Sequence, residues 1–314
     1  MKSTLPEMTR VYQNHHLDST RWELYTPRDN DVIVSTAYKS GTTWTQMILH
    51  ILIYGNQDPM PELGSVTPWP DAYFHPISRD DLGSWMAGLK GRRILKSHLP
   101  LDGLPYYENV KYIIVGRDPR DVFMSLFNHY WNYTKQFYQD INDPKKLMGP
   151  SFPVCPDDPR EFWPDWIARG WFEWESEGYP FWSNLHHTQT YWDYKHLPNF
   201  HFLHYNNMLA DLEGAVREIA SFAELDVTDE LVERAVEDTT LSNVKRKIVA
   251  ADSGEDSDSS MFKGGANAFF YKGTNGRWKD ILNEDDLQLY RQTTEKILAP
   301  DCLHWLETGE KPYK

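Results

Sequence analysis

The stretch VIVSTAYKSGTTWTQMILHIL, residues 32–52, leaves few folds open: an apolar run breaks into a short polar turn at Ser40–Gly41 and leaves it as an amphipathic segment. Asp31 to Thr36 reads as a buried strand, and Trp44, Met47, Ile48, Ile51 and Leu52 fall on one face of a helix starting near Thr42 or Thr43. Such a turn brings the unsatisfied N–H groups of Ser40 to Thr43 and the positive end of a helix dipole to one place, where an anion can sit. It is equally the form of many plain structural turns. In the familiar phosphate loop Gly-Lys-Ser/Thr stands at the helix mouth with a further glycine five residues upstream. Here Lys39 precedes the Ser-Gly pair and that glycine is missing.

The strand-then-helix pattern recurs. Arg92 to Leu95 and Val110 to Val115 are short apolar runs. After the second, Asp118 is placed to cap a helix, Pro119 has the φ favoured at its first position, and Asp121 adds negative charge to its first turn. Val122, Phe123, Leu126, Phe127 and Tyr130 supply its buried face. A strand at Phe200–Tyr205 precedes a helix carrying Leu209, Leu212, Val216, Ile219 and Ala220. Further helices are expected at Trp166–Trp174, at Trp182–Tyr194, after an N-cap at Thr228, and over Leu287–Leu298, stopped by Pro300. Alternating strands and helices predict an α/β fold: one domain over 1–314, with a central, mainly parallel sheet flanked by helices on both faces. Clustered prolines point to an irregular excursion over about 131–165. The Ser-, Asp- and Gly-rich AADSGEDSDSSMFKGGANAFF has the composition of a mobile segment, either a passive loop or a lid over ligand at about 250–268.

Composition removes several classes. A chain of 314 residues, 40% of them hydrophobic, can bury a core without staples, and no apolar stretch approaches the length of a transmembrane helix. The first thirty residues are polar and hold no secretory h-region. Cys155 and Cys302 stand far apart without metal-type spacing, which points to reduced thiols and a cytoplasmic protein. A net charge of −14 argues against a nucleic-acid partner, so any anionic ligand must meet a local cluster of donors. With aromatic residues at 14%, including 13 tryptophans, core filling takes most of them and a few can line an apolar pocket.

Four clusters contain the candidate chemistry. The first is Lys39 and the turn it precedes. In RRILKSHLP, Lys96 and His98 lie two apart on an extended chain and therefore share a face, at a strand end of the kind where such sheets bind ligands. His98 also has the ordinary reading of a structural histidine. In VGRDPRDVFMSLFNHY, Arg117 stands at a strand end, either to fork onto a phosphate or to pair with Asp118 or Asp121. In FFYKGTNGRWKDIL, Lys272, Gly273, Gly276, Arg277 and Lys279 form either an anion-binding loop or a solvated turn.

In this order and at these separations, YKSGTTW, LKSHLP, the Arg117-to-Ser125 spacing and YKGTNGRWKD resemble the cytosolic-type sulfotransferases that use 3′-phosphoadenosine-5′-phosphosulfate, with a bacterial-like member as the form matched. The likeness spans about residues 30–285. It implies a phosphate-loop-like sulfotransferase architecture, the sulfated nucleotide as donor, adenosine 3′,5′-bisphosphate as product and no metal. It also implies site residues. Lys39, Ser40, Gly41, Thr42 and Thr43 match the loop that holds the 5′-phosphosulfate, with Trp44 near the adenine. Arg117 and Ser125 match the residues at the 3′-phosphate. Tyr205, Thr239, Thr240 and Leu241 match the adenine region, and Tyr271, Lys272 and Gly273 the late loop that also grips the 3′-phosphate.

There are departures from the family pattern. Tyr38 stands where proline usually precedes the lysine, Leu241 where an aromatic residue often stacks, and Tyr271 where arginine is common, with Arg277 replacing a usual acidic residue. The usual C-terminal dimerisation motif is not found. The mechanism expected is attack of an acceptor hydroxyl on sulfur, with His98 as general base and Lys39 and Lys96 stabilising the developing negative charge. The expected acceptor is a small molecule, apolar or aromatic: a phenol, an alcohol or a glycolipid. An atypical phosphate-loop kinase or nucleotide hydrolase is the alternative. Against it stands the absence of an acidic strand end after Val115, where Gly116 and Arg117 follow instead.

Overall fold

Four short parallel strands carry the site. In the computed structural model Val32–Ser35 (β1), Ile94–Ser97 (β2), Lys111–Gly116 (β3) and Phe200–His204 (β4) form one sheet in the order β2-β1-β3-β4. The structure describes residues 5–74, 77–244, 246, 261–263 and 273–311. Because both faces are covered, these strands read as unbroken apolar runs in the sequence. Ile33, Leu95, Tyr112, Ile114 and Phe202 belong to the core on one side, and Val32, Val34, Ile94, Ile113, Val115 and Leu203 to that on the other, as a period of two requires. Burying each such aliphatic side chain stabilises the fold by about 1.5–3 kcal/mol.

The helices that cover the sheet are Thr42–Tyr54 (α1), Leu63–Val66 (α2), Arg79–Gly88 (α3), Pro119–Trp131 (α4), Lys135–Ile141 (α5), Pro159–Ala168 (α6), Leu185–Trp192 (α7), Tyr205–Ala210 (α8), Leu212–Phe222 (α9) and Asp229–Thr239 (α10), with two more at Glu284–Ile297 and Pro300–Thr308. Ile48, Leu49, Val216, Ile219, Val232 and Ala235 bring α1, α9 and α10 onto one face. Phe123, Leu126, Trp163, Ile167, Tyr191, Tyr290 and Trp305 bring α4, α6, α7 and the last two helices onto the other. At the amino end of the sheet a buried ion pair joins Arg93, just before β2, to Asp31, just before β1, with Arg93 Nε donating to Asp31 Oδ1 at 2.9 Å.

Local signals located most helix starts. Asp118 accepts from the Arg120 N–H ahead of α4, and Thr228 from the Leu231 N–H ahead of α10. Four expectations shift. The helix anticipated at Trp166–Trp174 is α6, opened by an Asp158 cap and Pro159 and finished at Ala168. The stretch anticipated as irregular over 131–165 contains α5, capped by Thr134, and most of α6. The helix expected to run through Leu209 is divided at Asp211, which ends α8 and accepts the Gly214 N–H to start α9. Pro300 does follow the end of one helix, but it is also the first residue of another, since a missing N–H is harmless at that position. Of the 250–268 segment anticipated as a lid, only 261–263 lie within the described residues. Among the described residues no helix is long and apolar enough to cross a membrane.

Candidate functional site

Each strand ends by delivering a polar or charged residue to one cavity of about 260 Å³: Lys39 from the loop after β1, Lys96 and His98 from β2, Arg117 after β3 and Tyr205 after β4. The carboxyl ends of a parallel sheet converge in this way because every strand runs the same direction.

The loop after β1 is built for close approach. Lys39 has φ 70° and Gly41 φ 120°, and the Ser40 N–H donates to Ala37 O at 3.1 Å, closing the turn. A Cβ at Gly41 would lie 3.3 Å from Tyr205 Cδ2 on top of an unfavourable φ, so glycine is required there. The first helical bond of α1 is Thr45 N–H to Gly41 O at 3.0 Å, and no side chain caps the helix. The donors left for an anion are thus the N–H groups of Gly41, Thr42 and Thr43, not that of Ser40 as the sequence suggested.

Arg117 forms no close ion pair with Asp118 or Asp121. Asp118 is engaged by Arg120, and Asp121 accepts the Gly276 N–H at 2.7 Å. Arg117 instead donates to Lys39 O at 3.2 Å and to Asn275 Oδ1 at 2.8 Å, with its guanidinium 4.2 Å over the Tyr205 ring. No carboxylate among the described residues lies within ion-pair distance of it, although Asp121 and Asp118 act on its charge from farther away. Ser125, two turns into α4, Gly273, Thr274 and Arg277 share this part of the wall.

Trp44 meets Tyr205 edge to face at 5.5 Å, and Leu209, Thr239, Leu241 and Val244 extend the same side into a flat apolar slot. Leu241 presses on Gly273, where a Cβ would come within 2.3 Å of Leu241 Cδ2. Thr240 is not part of the cavity wall and donates its hydroxyl to Glu237 O at 3.0 Å. Ser40 is buried behind the loop and likewise absent from the lining. Tyr271 and Lys272 lie outside the described residues.

His98 occupies the centre. Its Nδ1 lies 2.8 Å from Thr36 O, and a carbonyl can only accept, so the proton of the neutral ring is on Nδ1. Nε2 carries the lone pair, is buried and has no hydrogen-bond partner among the described residues. Burial first, and Lys96 next, push His98 well below the ordinary value near 6.5 that residue type alone suggests. The ring is neutral at pH 7 and able to take a proton. Tyr38, Trp69 and Trp182 surround it with ring centroids at 4.9, 5.2 and 5.3 Å.

Burial also lowers the two lysines. Lys39 falls to about 7, with Arg117 and Lys96 adding to the effect of desolvation, and Lys96 falls to about 8 against the opposing pull of Asp71. Lys96 Nζ sits 3.8 Å from the Trp69 ring centre, and Asp71 anchors that indole by accepting from its Nε1–H at 2.9 Å.

Among the tryptophans and phenylalanines, Trp69 and Phe74 line the cavity and Trp182 backs His98, whereas Trp163 and Trp166 are core. His186 is bonded to Asp102 and His187 to Ser35. Reading the sequence missed His16, Asp71, His129, Tyr133 and Asn275. A signal existed for one of them: Asp121, Ser125 and His129 recur every four residues, a polar stripe on an otherwise apolar α4.

The family model described as the sulfotransferase domain matches residues 29–300. The chain is 28% identical to a glycolipid sulfotransferase of Mycobacterium bovis (strain BCG / Pasteur 1173P2), over 100% of this chain and 99% of that one. It is also 28% identical to an amine sulfotransferase of Oryctolagus cuniculus, over 84% of this chain and 79% of the relative. Among solved structures, mouse sulfotransferase SULT7A1 complexed with PAP superposes with a TM-score of 0.65 at 20% identity, covering 92% of each chain. Retinol dehydratase in complex with androsterone and the inactive cofactor PAP gives 0.64 at 21%, covering 88% of this chain and 82% of the other. Both share the fold.

Proposed function

Because the chain belongs to the sulfotransferase domain family, we propose that it transfers the sulfonate of 3′-phosphoadenosine-5′-phosphosulfate to a hydroxyl group of an acceptor, with His98 as general base. The observation that carries this reading is His98 itself: a neutral imidazole whose Nδ1 proton is committed to Thr36 O while the buried Nε2 lone pair has no partner among the described residues. An acceptor O–H would supply that partner.

When bound, the donor supplies an activated sulfonate and leaves as adenosine 3′,5′-bisphosphate. As the acceptor oxygen bonds to sulfur and the sulfur–phosphate oxygen bond breaks, His98 Nε2 takes the hydroxyl proton. Lys39 and the α1 N–H groups hold negative charge at the departing phosphate oxygen, and Lys96 stands beside the base where charge builds on the sulfonate. Arg117 with Ser125 suits the 3′-phosphate, and the slot between Trp44, Tyr205 and Leu241 suits adenine. The chain's own groups fit the nucleotide because an uncapped helix start and the cations Lys39, Lys96, Arg117 and Arg277 converge on one cavity.

The acceptor we propose has an apolar body, of the class to which phenols, alcohols and glycolipids belong. Phe74 and Met261 both line the cavity and are 42% and 37% exposed, giving it an apolar mouth, and the first relative compared is a glycolipid sulfotransferase. We place the protein in the cytoplasm, where Cys155 and Cys302 would stay as the free thiols they are here.

Calorimetric titration with adenosine 3′,5′-bisphosphate beside ADP and beside ATP with Mg²⁺ tests the donor. Preference for the bisphosphate without metal is expected; preference for ATP with Mg²⁺ would overturn the reading in favour of a nucleotide kinase. A screen of hydroxylated acceptors with the sulfated donor then tests the transfer.

A further inference from the structure

We infer that His129 is a positioning residue for Lys39, receiving the loop lysine on one ring nitrogen while the other is anchored on Tyr38. The inference rests on the sulfonate-transfer reading and adds to it a device for holding the charge of the donor loop in place. His129 lies on α4 one turn beyond Ser125, is 2% exposed, and contributes to the cavity wall. Its Nδ1 is 3.3 Å from Lys39 Nζ and its Nε2 is 2.9 Å from Tyr38 Oη.

The chemistry of the three groups fixes where the protons are. An ammonium can only donate, so when Lys39 is charged Nδ1 must be the acceptor. The neutral ring then bears its proton on Nε2, which donates to the Tyr38 oxygen. Tyr38 is itself held, its ring stacked on Trp182 at 5.0 Å and 12° and meeting His98 edge to face at 4.9 Å. Lys39 is therefore not positioned by a flexible four-carbon stem alone. A ring locked against the same aromatic wall that surrounds the base receives it, and the hydrogen-bonded Tyr38 side chain does at the loop entry what a fixed proline φ does in the family pattern.

The surrounding charges favour this arrangement. Arg117 and Lys96 face Lys39, Lys96 and His16 face His129, and the Tyr133 hydroxyl faces Tyr38. A second positive charge on His129 would be repelled by these neighbours, so the ring stays neutral and available as acceptor. Removing it takes away a bond that favours the charged form of Lys39, which then loses its proton at lower pH.

The test compares wild type, His129→Phe, His129→Gln and Tyr38→Phe as full chains with intact thermal melts. Affinity for adenosine 3′,5′-bisphosphate is measured by calorimetry from pH 6 to 9. In His129→Phe the pH above which affinity declines is expected to fall by about one unit, with affinity at pH 8 down about tenfold. His129→Gln, whose amide oxygen can accept from Lys39, should stay within about threefold of wild type, and Tyr38→Phe should lie between. An unchanged pH profile in His129→Phe, with wild type binding normally, would overturn the positioning role and leave the family reading standing. Failure of wild type to bind the bisphosphate at any pH would overturn both. Should His129→Phe not fold, His129→Gln decides: a loss as large as that of Lys39→Met would also overturn the role.

Discussion

The Nδ1 of His98 donates to the carbonyl oxygen of Thr36 across 2.8 Å, so a single bond links the ends of β2 and β1 and leaves Nε2 as the ring nitrogen with the lone pair. Main-chain geometry thereby sets the tautomer without a carboxylate partner. This suits the proposed role of a neutral base, because a neighbouring carboxylate would raise the imidazole pKa and a backbone carbonyl does so only weakly.

His98→Ala should lower kcat by about 10²- to 10⁴-fold, the usual contribution of a general base. Affinity for adenosine 3′,5′-bisphosphate should stay within about threefold, since the proposed bisphosphate contacts are α1 and Arg117. Steady-state kinetics beside calorimetry check this; a variant that turned over normally would remove His98 from the mechanism.

Donor binding should take up protons above neutrality. Lys39 near 7 and Lys96 near 8 in the free protein are held down mainly by desolvation, and an anion placed beside them favours their charged forms and raises both values. Between the free and bound values the complex holds more protons than the free protein, so affinity is greatest below about pH 7 and falls as pH rises. Titrations at pH 8 in two buffers of different ionisation enthalpy would give different apparent heats, in the sense of net uptake. Identical heats would contradict the assignment.

Arg117→Met should weaken binding of the 3′,5′-bisphosphate by about 10- to 100-fold, the equivalent of one or two charge-assisted hydrogen bonds. Adenosine 5′-monophosphate lacks the group that Arg117 is proposed to grip, so its affinity should change little. The ratio of the two affinities is the informative number, and an equal loss for both ligands would place Arg117 elsewhere.

Asp71→Ala should destabilise the fold by about 2–5 kcal/mol, read by urea denaturation. Asp71 is fully buried and accepts from both Trp22 Nε1 and Trp69 Nε1 at 2.9 Å; its loss strands two buried donors. Trp69 is also the ring under Lys96, so the folded fraction should show a weakened turnover with near-normal bisphosphate affinity.

Much of this is legible in the sequence itself. The starts of α1 and α4, the buried strands β1 and β3 and the Thr228 cap follow from contacts within a few residues, and so do the turn at Ser40–Gly41 and the cap at Asp118. Local hydrogen bonding and side-chain periodicity are written into consecutive residues, and a chain that alternates such strands and helices has few alternatives to a parallel sheet. The same locality explains the misreadings. Pro300 ends a helix and begins one by the same missing N–H, and nothing nearby says that both occur.

By itself, then, the sequence determined which residues lie at the carboxyl ends of the strands, and with them Lys39, Lys96, His98 and Arg117, because strand periodicity and turn chemistry are short-range. Tertiary structure alone decided what meets them: Thr36 O on His98, Asn275 on Arg117, Trp69 under Lys96, and His129 between Tyr38 and Lys39. Those partners come from segments up to 158 positions apart, brought together only when helices close over both faces of the sheet. The same closure removes water from the site, and desolvation, which no run of letters displays, is what leaves His98 neutral and the two lysines close to giving up their protons.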